Sequence, residues 1–274
     1  MPLRSILVHL TSHPRSEVRL RLATELARRV GARLTGLFAQ TSAAHQVGIN
    51  SVWPTEEYKE AGAAARAVFA AATEGLETDF QDLNRGAEAD LVPQMLDYSR
   101  HFDLSVLGQR KPDNSHLLPP DLAEQIIVHS GRPALVVPFV GQFATLGARP
   151  VFAWSDSRCA ARALLDAIPL ATPDAEALVV SLSKPGDDAA LAYRKQSLAL
   201  AAGQLAVHGV KAQQEQLTLG EIGLMDALLN RVADHGGDLL AMGAFGGGGY
   251  PLFSRGSGSR YLLKHMTMPV LLSH

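Results

Sequence analysis

The glycine-rich stretch at residues 242–257 is the part of this sequence best suited to bind an anion. Its key positions are three glycines and a serine: Gly243, Gly246, Gly256 and Ser257. Glycines let backbone N–H groups approach an anion without obstruction by side chains. A helix that begins near Ser257 adds unpaired N–H donors and the positive end of its dipole. These residues favour a phosphate-binding loop; the alternative is a plain surface loop in which Ser257 only caps the helix.

The loop differs from two common phosphate-binding sequences. It contains no Gly-Lys-Ser/Thr, so it is not a Walker A loop. It also lies near the end of the chain, whereas the dinucleotide-binding pattern follows the first strand of a βαβ unit.

An internal repeat supplies the elements that must position this loop. Residues 103–108 parallel residues 238–243, and residues 132–138 parallel residues 268–273, at an offset of 135 or 136. Each half alternates short apolar runs with helical patterns, and its longest helix is predicted at 56–77 or 188–208. Such alternation predicts parallel strands joined by helical crossovers, with the loop beyond the carboxyl end of a strand, where ligands bind in open α/β sheets.

The repeat predicts two α/β domains joined by a short linker at residues 141–149. A single domain with one ten-stranded sheet is the alternative. We prefer two domains because the parallel segments recur in the same order.

The pattern Gly243-x2-Gly246-x9-Gly256-Ser257 resembles the nucleotide-binding signature of the universal stress protein family. The repeat resembles the tandem members of that family. This resemblance implies two five-stranded parallel-sheet domains of the Rossmann-like, adenine-nucleotide alpha hydrolase-like class, at residues 1–143 and 148–274. It also implies that the domains pair through their last strands as an internal pseudo-dimer, and that ATP, with Mg²⁺, is the ligand.

The resemblance assigns binding positions residue by residue in the C-terminal half. Met242, Gly243, Gly246, Gly256 and Ser257 match the loop. By the same resemblance, Leu182 falls where an apolar side chain contacts adenine or ribose, and Ala153 falls on the first-strand position that lines the base.

The position after the first strand of the C-terminal half departs from the family pattern. ATP-binding members usually have an aspartate there, whereas this chain has Ser155, with Asp156 one residue later. We therefore include both residues among the candidate binding residues.

The N-terminal half lacks the glycine signature. Lys111 stands where the second glycine is expected, and Asp121 and Leu122 replace Gly-Ser. A carboxylate at Asp121 would repel phosphate. We expect that this half does not bind ATP in the manner of the family.

Composition excludes several other functions. A net charge of −2 argues against a broad nucleic-acid surface, which needs a basic excess. Cys159 is the one cysteine, so an intrachain disulfide is impossible. The sequence has neither a signal-peptide pattern nor an apolar run of roughly 20 residues, so we expect a cytoplasmic protein without membrane contact. The ten histidines form no tight metal-binding pair, and no metal site is expected.

The sequence thus predicts a stress-response regulatory protein that binds ATP in its C-terminal domain, with a homodimer or another protein as a further partner. An interaction module of the same fold that binds no nucleotide is one alternative. A weak ATPase is another, and Asp156 is the one carboxylate that we can name for it.

Overall fold

The chain forms two compact units, Pro2–Ala144 and Thr145–His274, in a computed structural model. The structure describes residues 2–41, 45–47, 50–52, 54–83, 88–111, 116–143, 145–183, 188–218, 223–246 and 257–274. No helix in these ranges combines the length and the apolar character needed to span a membrane.

The N-terminal unit alternates strands and helices. In chain order its elements are β1 (Ser5–Leu10), α1 (Arg15–Val30), β2 (Arg33–Phe38), β3 (His45–Val47), β4 (Asn50–Val52), α2 (Glu56–Ala72), β5 (Thr78–Asp82), α3 (Glu88–Ser99), β6 (Leu104–Gly108), α4 (Leu122–His129) and β7 (Ala134–Val137).

The C-terminal unit repeats this order without a counterpart of β3 and β4 among its described residues. Its elements are β8 (Pro150–Trp154), α5 (Arg158–Ala167), a short 3₁₀ helix (Ile168–Leu170), β9 (Ala177–Ser183), α6 (Asp188–Val207), β10 (Ala212–Thr218), α7 (Leu224–His235), β11 (Leu239–Gly243), α8 (Ser257–His265) and β12 (Val270–Ser273).

Each unit contains a five-stranded parallel sheet, which confirms the predicted fold class. The strand order is β7-β6-β1-β2-β5 in the N-terminal unit and β10-β9-β8-β11-β12 in the C-terminal unit. In both units, the first strand of the five-stranded sheet in chain order lies between the second and the fourth. The pairing of the two domains through their last strands stays a prediction.

Several strands are continuous apolar runs, as is typical of parallel sheets with helices on both faces. All seven residues of β9 are buried, as are the four residues of β7 and of β12. Strand β10 differs, because it has no fully buried residue and is rich in glutamine. The antiparallel hairpin of β3 and β4 was not predicted, because two strands of three residues give too short a pattern.

In each unit, an aspartate directly before the fourth strand of the five-stranded sheet accepts hydrogen bonds from the backbone at the start of the first strand. In the N-terminal unit, Asp103 Oδ2 accepts hydrogen bonds from Arg4 N at 2.9 Å and from Ser5 N at 3.0 Å. In the C-terminal unit, the Asp238 carboxylate accepts from Ala148 N at 2.8 Å and Arg149 N at 2.9 Å. The same interaction in both units fixes the start of β1 and of β8.

We expect Asp238→Ala to lower the free energy of unfolding by about 1–3 kcal/mol, because it removes the charged acceptor of two hydrogen bonds, one from the partly buried Ala148 N–H and one from the exposed Arg149 N–H. Thermal unfolding followed by circular dichroism measures this loss. Asp174→Ala, at an exposed position on the same unit, is the matched control and should change the melting temperature little. Equal effects of the two substitutions would contradict the role of Asp238.

Candidate functional site

The strand order of the C-terminal unit reverses between β8 and β11. From β8 the chain passes outward to β9 and β10 and then returns to β11 on the other side of β8. Ala153 and Met242 are paired residues in the register of these two strands. Helical crossovers that leave such a pair in opposite directions open a crevice at the carboxyl ends, where α/β sheets bind ligands. The structure therefore brings two predicted site residues together at this point.

Gly243 ends β11 in close contact with the first turn of α5. A Cβ on this residue would lie 2.4 Å from Ala160 N and 2.5 Å from the Cys159 carbonyl carbon. Real Cβ atoms do not approach backbone so closely, so glycine is needed for the strand to pack against the helix start. Gly243 thus serves helix packing as well as the predicted loop.

The backbone after Gly243 turns sharply toward the glycine loop. Phe245 has a φ of 53°, a left-handed conformation that costs a non-glycine residue roughly 1–2 kcal/mol. Its N–H donates to the buried Ser259 Oγ on α8 at 3.0 Å, which offsets part of this cost. Strained backbone of this kind is common at binding sites.

Cys159 lies beneath the exposed Gly246, and a Cβ on this glycine would meet Cys159 Sγ at 3.0 Å. The thiol is 3.9 Å from His274 Nδ1, which also lies 2.9 Å from Ala244 O. These contacts hold the segment at 244–246 against the start of α5.

The segment after β8 is held by a chain of hydrogen bonds to α6. Trp154 Nε1 donates to Ser197 Oγ at 2.9 Å, and the Ser197 hydroxyl donates to Asp156 Oδ1. Ser155 Oγ lies 3.1 Å from Oγ of Ser157, the residue that caps α5. Asp156 therefore accepts one hydrogen bond from α6 through Oδ1, and the Ser155 hydroxyl lies beside that of Ser157; a role of either residue in binding a base stays a prediction.

The remaining predicted site residues lie in different surroundings. Leu182 is 2% exposed within β9, so its side chain belongs to the core of the unit. Ser257 is the first residue of α8, at the predicted helix start. Gly256 lies outside the described residues.

Three residues at this edge were missed by sequence reasoning: Phe245, Ser197 and Ser259. Phe245 gave no signal because its left-handed backbone depends on the packing around it. Ser197 is 41 residues from Asp156, and Ser259 is 14 residues from Phe245. No local pattern connects such partners.

The equivalent edge of the N-terminal unit, between β1 and β6, is filled by a buried arginine. Arg19 on α1 is 4% exposed, and its Nε donates to His9 O at 2.6 Å. Its NH1 lies 2.1 Å from where a Cβ of Gly108 would stand. A cavity of about 30 Å³ lies beside Gly108, under the segment that carries Leu118 and Pro119. This volume accommodates about one water molecule. A separate cavity of about 250 Å³ lies at the end of β1, between α1 and α2.

Arg19 is a cation without a carboxylate partner within 4 Å among the described residues. Burial, together with the nearby Arg15, lowers its pKa to about 10, so it remains charged at neutral pH. Burial and the Arg19 charge lower the pKa of His9 to about 3, so the ring is neutral. Its Nε2 lies 2.7 Å from Ala39 O, to which a neutral ring donates.

Comparisons with known proteins found structural similarity over the whole chain. A universal stress protein from Archaeoglobus fulgidus has 18% sequence identity and a TM-score of 0.69, with 98% of this chain and 95% of that chain covered. A functionally unknown protein from Pseudomonas aeruginosa has 15% identity and a TM-score of 0.59, with 99% and 92% covered. No protein-family model matches the sequence, and no curated protein is significantly similar to it. Identities this low show the fold alone.

We expect Gly243→Ala to destabilise the protein by about 1–3 kcal/mol, because its Cβ collides with the backbone of α5. Gly203→Ala in α6 is the matched control. A Cβ there meets nothing within 4 Å, so the substitution should stabilise the helix by about 0.5–1 kcal/mol. Urea unfolding compares the two variants; a loss at Gly203 as large as at Gly243 would refute the packing argument.

Buried His9 should make stability fall in acid. The unfolded side chain titrates at 6.5 and the folded one at about 3, so the unfolded state binds the proton first as pH falls. Above pH 6.5, His9 therefore leaves the free energy of unfolding unchanged. Between pH 6.5 and 3, it lowers the free energy of unfolding by up to about 1.4 kcal/mol for each pH unit.

We expect His9→Gln to show a smaller drop in the free energy of unfolding between pH 7 and pH 5 than the wild-type chain. Urea titrations at both pH values measure this drop. His101→Gln, at an exposed position, should retain the wild-type drop. An unchanged drop in His9→Gln would show that other groups cause the acid sensitivity.

Proposed function

We propose that this chain, which has the fold of the universal stress proteins in two tandem units, is a stress-response regulatory protein that binds ATP through its C-terminal unit. The observation that carries the proposal is the pairing of Ala153 with Met242 where the strand order reverses, directly beside Gly243 and Gly246. Small or flexible side chains line this point, so a flat base has access to the sheet edge.

The phosphates would lie on the loop between β11 and α8. The first turn of α8 contains no acidic residue, so nothing on the helix opposes its positive end. In the N-terminal unit, Asp121 stands directly before the corresponding helix α4, without a side-chain capping bond, and Glu124 lies in its first turn. The electrostatics of the two helix starts therefore support phosphate binding by the C-terminal unit.

Recognition of the base would combine the shape of the crevice with the Asp156 carboxylate. Asp156 accepts from Ser197, and Trp154 holds that serine in place. A carboxylate accepts more than one hydrogen bond, so Asp156 can also meet the base or the ribose.

The two domains would differ in role. We propose nucleotide binding for residues 148–274 and a structural or regulatory role for residues 1–143, whose equivalent crevice holds Arg19. An interaction module that binds no nucleotide is the competing function, and the experiment below separates the two.

We expect isothermal titration of the full chain to detect ATP binding with one site per chain. Gly246→Val should weaken it at least tenfold, because its branched side chain meets Cys159 Sγ and covers the loop backbone. Lys111→Ala, at the matching position of the N-terminal unit, is the control and should bind normally. Absence of binding by the wild-type chain, or equal losses in both variants, would overturn the proposal.

A further inference from the structure

Helix α6 presents two opposite apolar faces, and only one of them is covered. The inner face packs against β9 and β10 through four buried side chains: Leu198, Ala201, Ala202 and Leu205. The outer face exposes Tyr193 by 63%, Leu200 by 70% and Val207 by 79%. Large apolar side chains that lie exposed together on one helix face are typical of interaction surfaces. Among the described residues, nothing covers this outer face.

The outer apolar residues recur every seven positions. Tyr193, Leu200 and Val207 form the stripe, with Gln196 and Gly203 at the intermediate positions. On one side of the stripe the exposed positions repeat with the same spacing and are alanine: Ala192, Ala199 and Ala206; on the other side lie the exposed Gln204 and the half-buried Ser197. A period of seven keeps one face of a helix against a second helix, and small flanking residues allow close approach.

The corresponding helix of the N-terminal unit has no such stripe. Helix α2 begins with Glu56 and Glu57 and exposes Lys59, Glu60 and Arg66. Its one exposed large apolar side chain is Val68, at 42%. The stripe is thus a property of α6 and not of this position in the fold.

We infer that the outer face of α6 is a homodimer interface, in which α6 of one chain packs antiparallel against α6 of a second copy. With Leu200 at the two-fold axis, Leu200 meets its own counterpart and Tyr193 meets Val207 of the other copy, a large side chain against a small one. A two-fold interface requires this self-complementarity, since each contact occurs twice.

Charge is compatible with the antiparallel direction. Arg194 and Lys195 lie six and seven residues after Asp188, the one acidic residue of α6. Parallel helices would set the two basic pairs at the same level. Antiparallel helices place each basic pair beside the uncharged end of the other, near Ala206.

The area of the stripe suits a specific interface. Three large apolar side chains and three alanines, mostly exposed, remove on the order of 500 Å² per helix when covered. Two copies thus bury roughly 1,000 Å², about the lower bound for a biological interface. The interface forms from this one helix without any change in the rest of the unit.

Sedimentation equilibrium of the full chain tests the interface. We expect a wild-type dimer at tens of micromolar, and a loss of at least 100-fold in dimer affinity for Leu200→Glu, which sets two carboxylates face to face in an apolar contact. Val68→Glu on α2 is the matched control and should dimerise normally. A monomeric wild type, including one that binds a different protein through α6, or a dimer insensitive to Leu200→Glu would overturn the inference.

Cross-linking tests the geometry and does not depend on the folding of the charged variant. Leu200→Cys should form a covalent dimer under mild oxidation. Tyr193→Cys alone should form no covalent dimer, because residue 193 of one copy lies about 21 Å along the helix axes from residue 193 of the other. A mixture of Tyr193→Cys and Val207→Cys chains should form one. The wild-type chain, whose Cys159 is 3% exposed, is the negative control and should form no covalent dimer. Cross-linking of Tyr193→Cys alone would indicate parallel helices and overturn the arrangement.

Discussion

The pairing of the first strand with the fourth is the constraint on which each unit depends. It places β1 beside β6 and β8 beside β11, and it makes the crossovers leave in opposite directions at that point. At the amino edge the pairing is fixed by the carboxylates of Asp103 and Asp238, which accept hydrogen bonds from the backbone at the start of the neighbouring strand. At the carboxyl edge the same pairing opens a crevice. The shared topology therefore makes two sites possible.

What fills the crevice differs between the units. In the N-terminal unit, Arg19 supplies a positive charge from within the chain and donates to the carbonyl of His9. In the C-terminal unit, Gly243 packs on the start of α5, and the segment after it rests on Cys159. The first arrangement places a charged side chain against Gly108 at the end of β6, and the second places glycines at and just beyond the end of β11. The repeat is thus symmetric in topology and asymmetric in the chemistry of its edges.

Sequence reasoning found the features that depend on local pattern. Apolar runs located β8 at Pro150–Trp154, and the repeat predicted parallel strands joined by helices in both halves, whereas the strand order came from the structure. It did not find the burial of Arg19, because an arginine on a helix normally reaches solvent and its burial depends on Gly108, far along the chain. The apolar outer face of α6 was also missed, since a helix that is apolar all round is indistinguishable in sequence from one that is buried. In each case tertiary packing decided the outcome.

The positions of Asp103 and Asp238 have a consequence for how such a duplicated chain can diverge. Both carboxylates act at the edge of the sheet opposite to the crevice, so the interaction that secures the strand pairing shares no residue with the surface that meets a ligand. Substitutions at one edge then leave the other intact. A gene duplication of this fold can lose or change its binding chemistry in one copy while both copies still fold, and the retained copy keeps a structural neighbour that is free to acquire a new role.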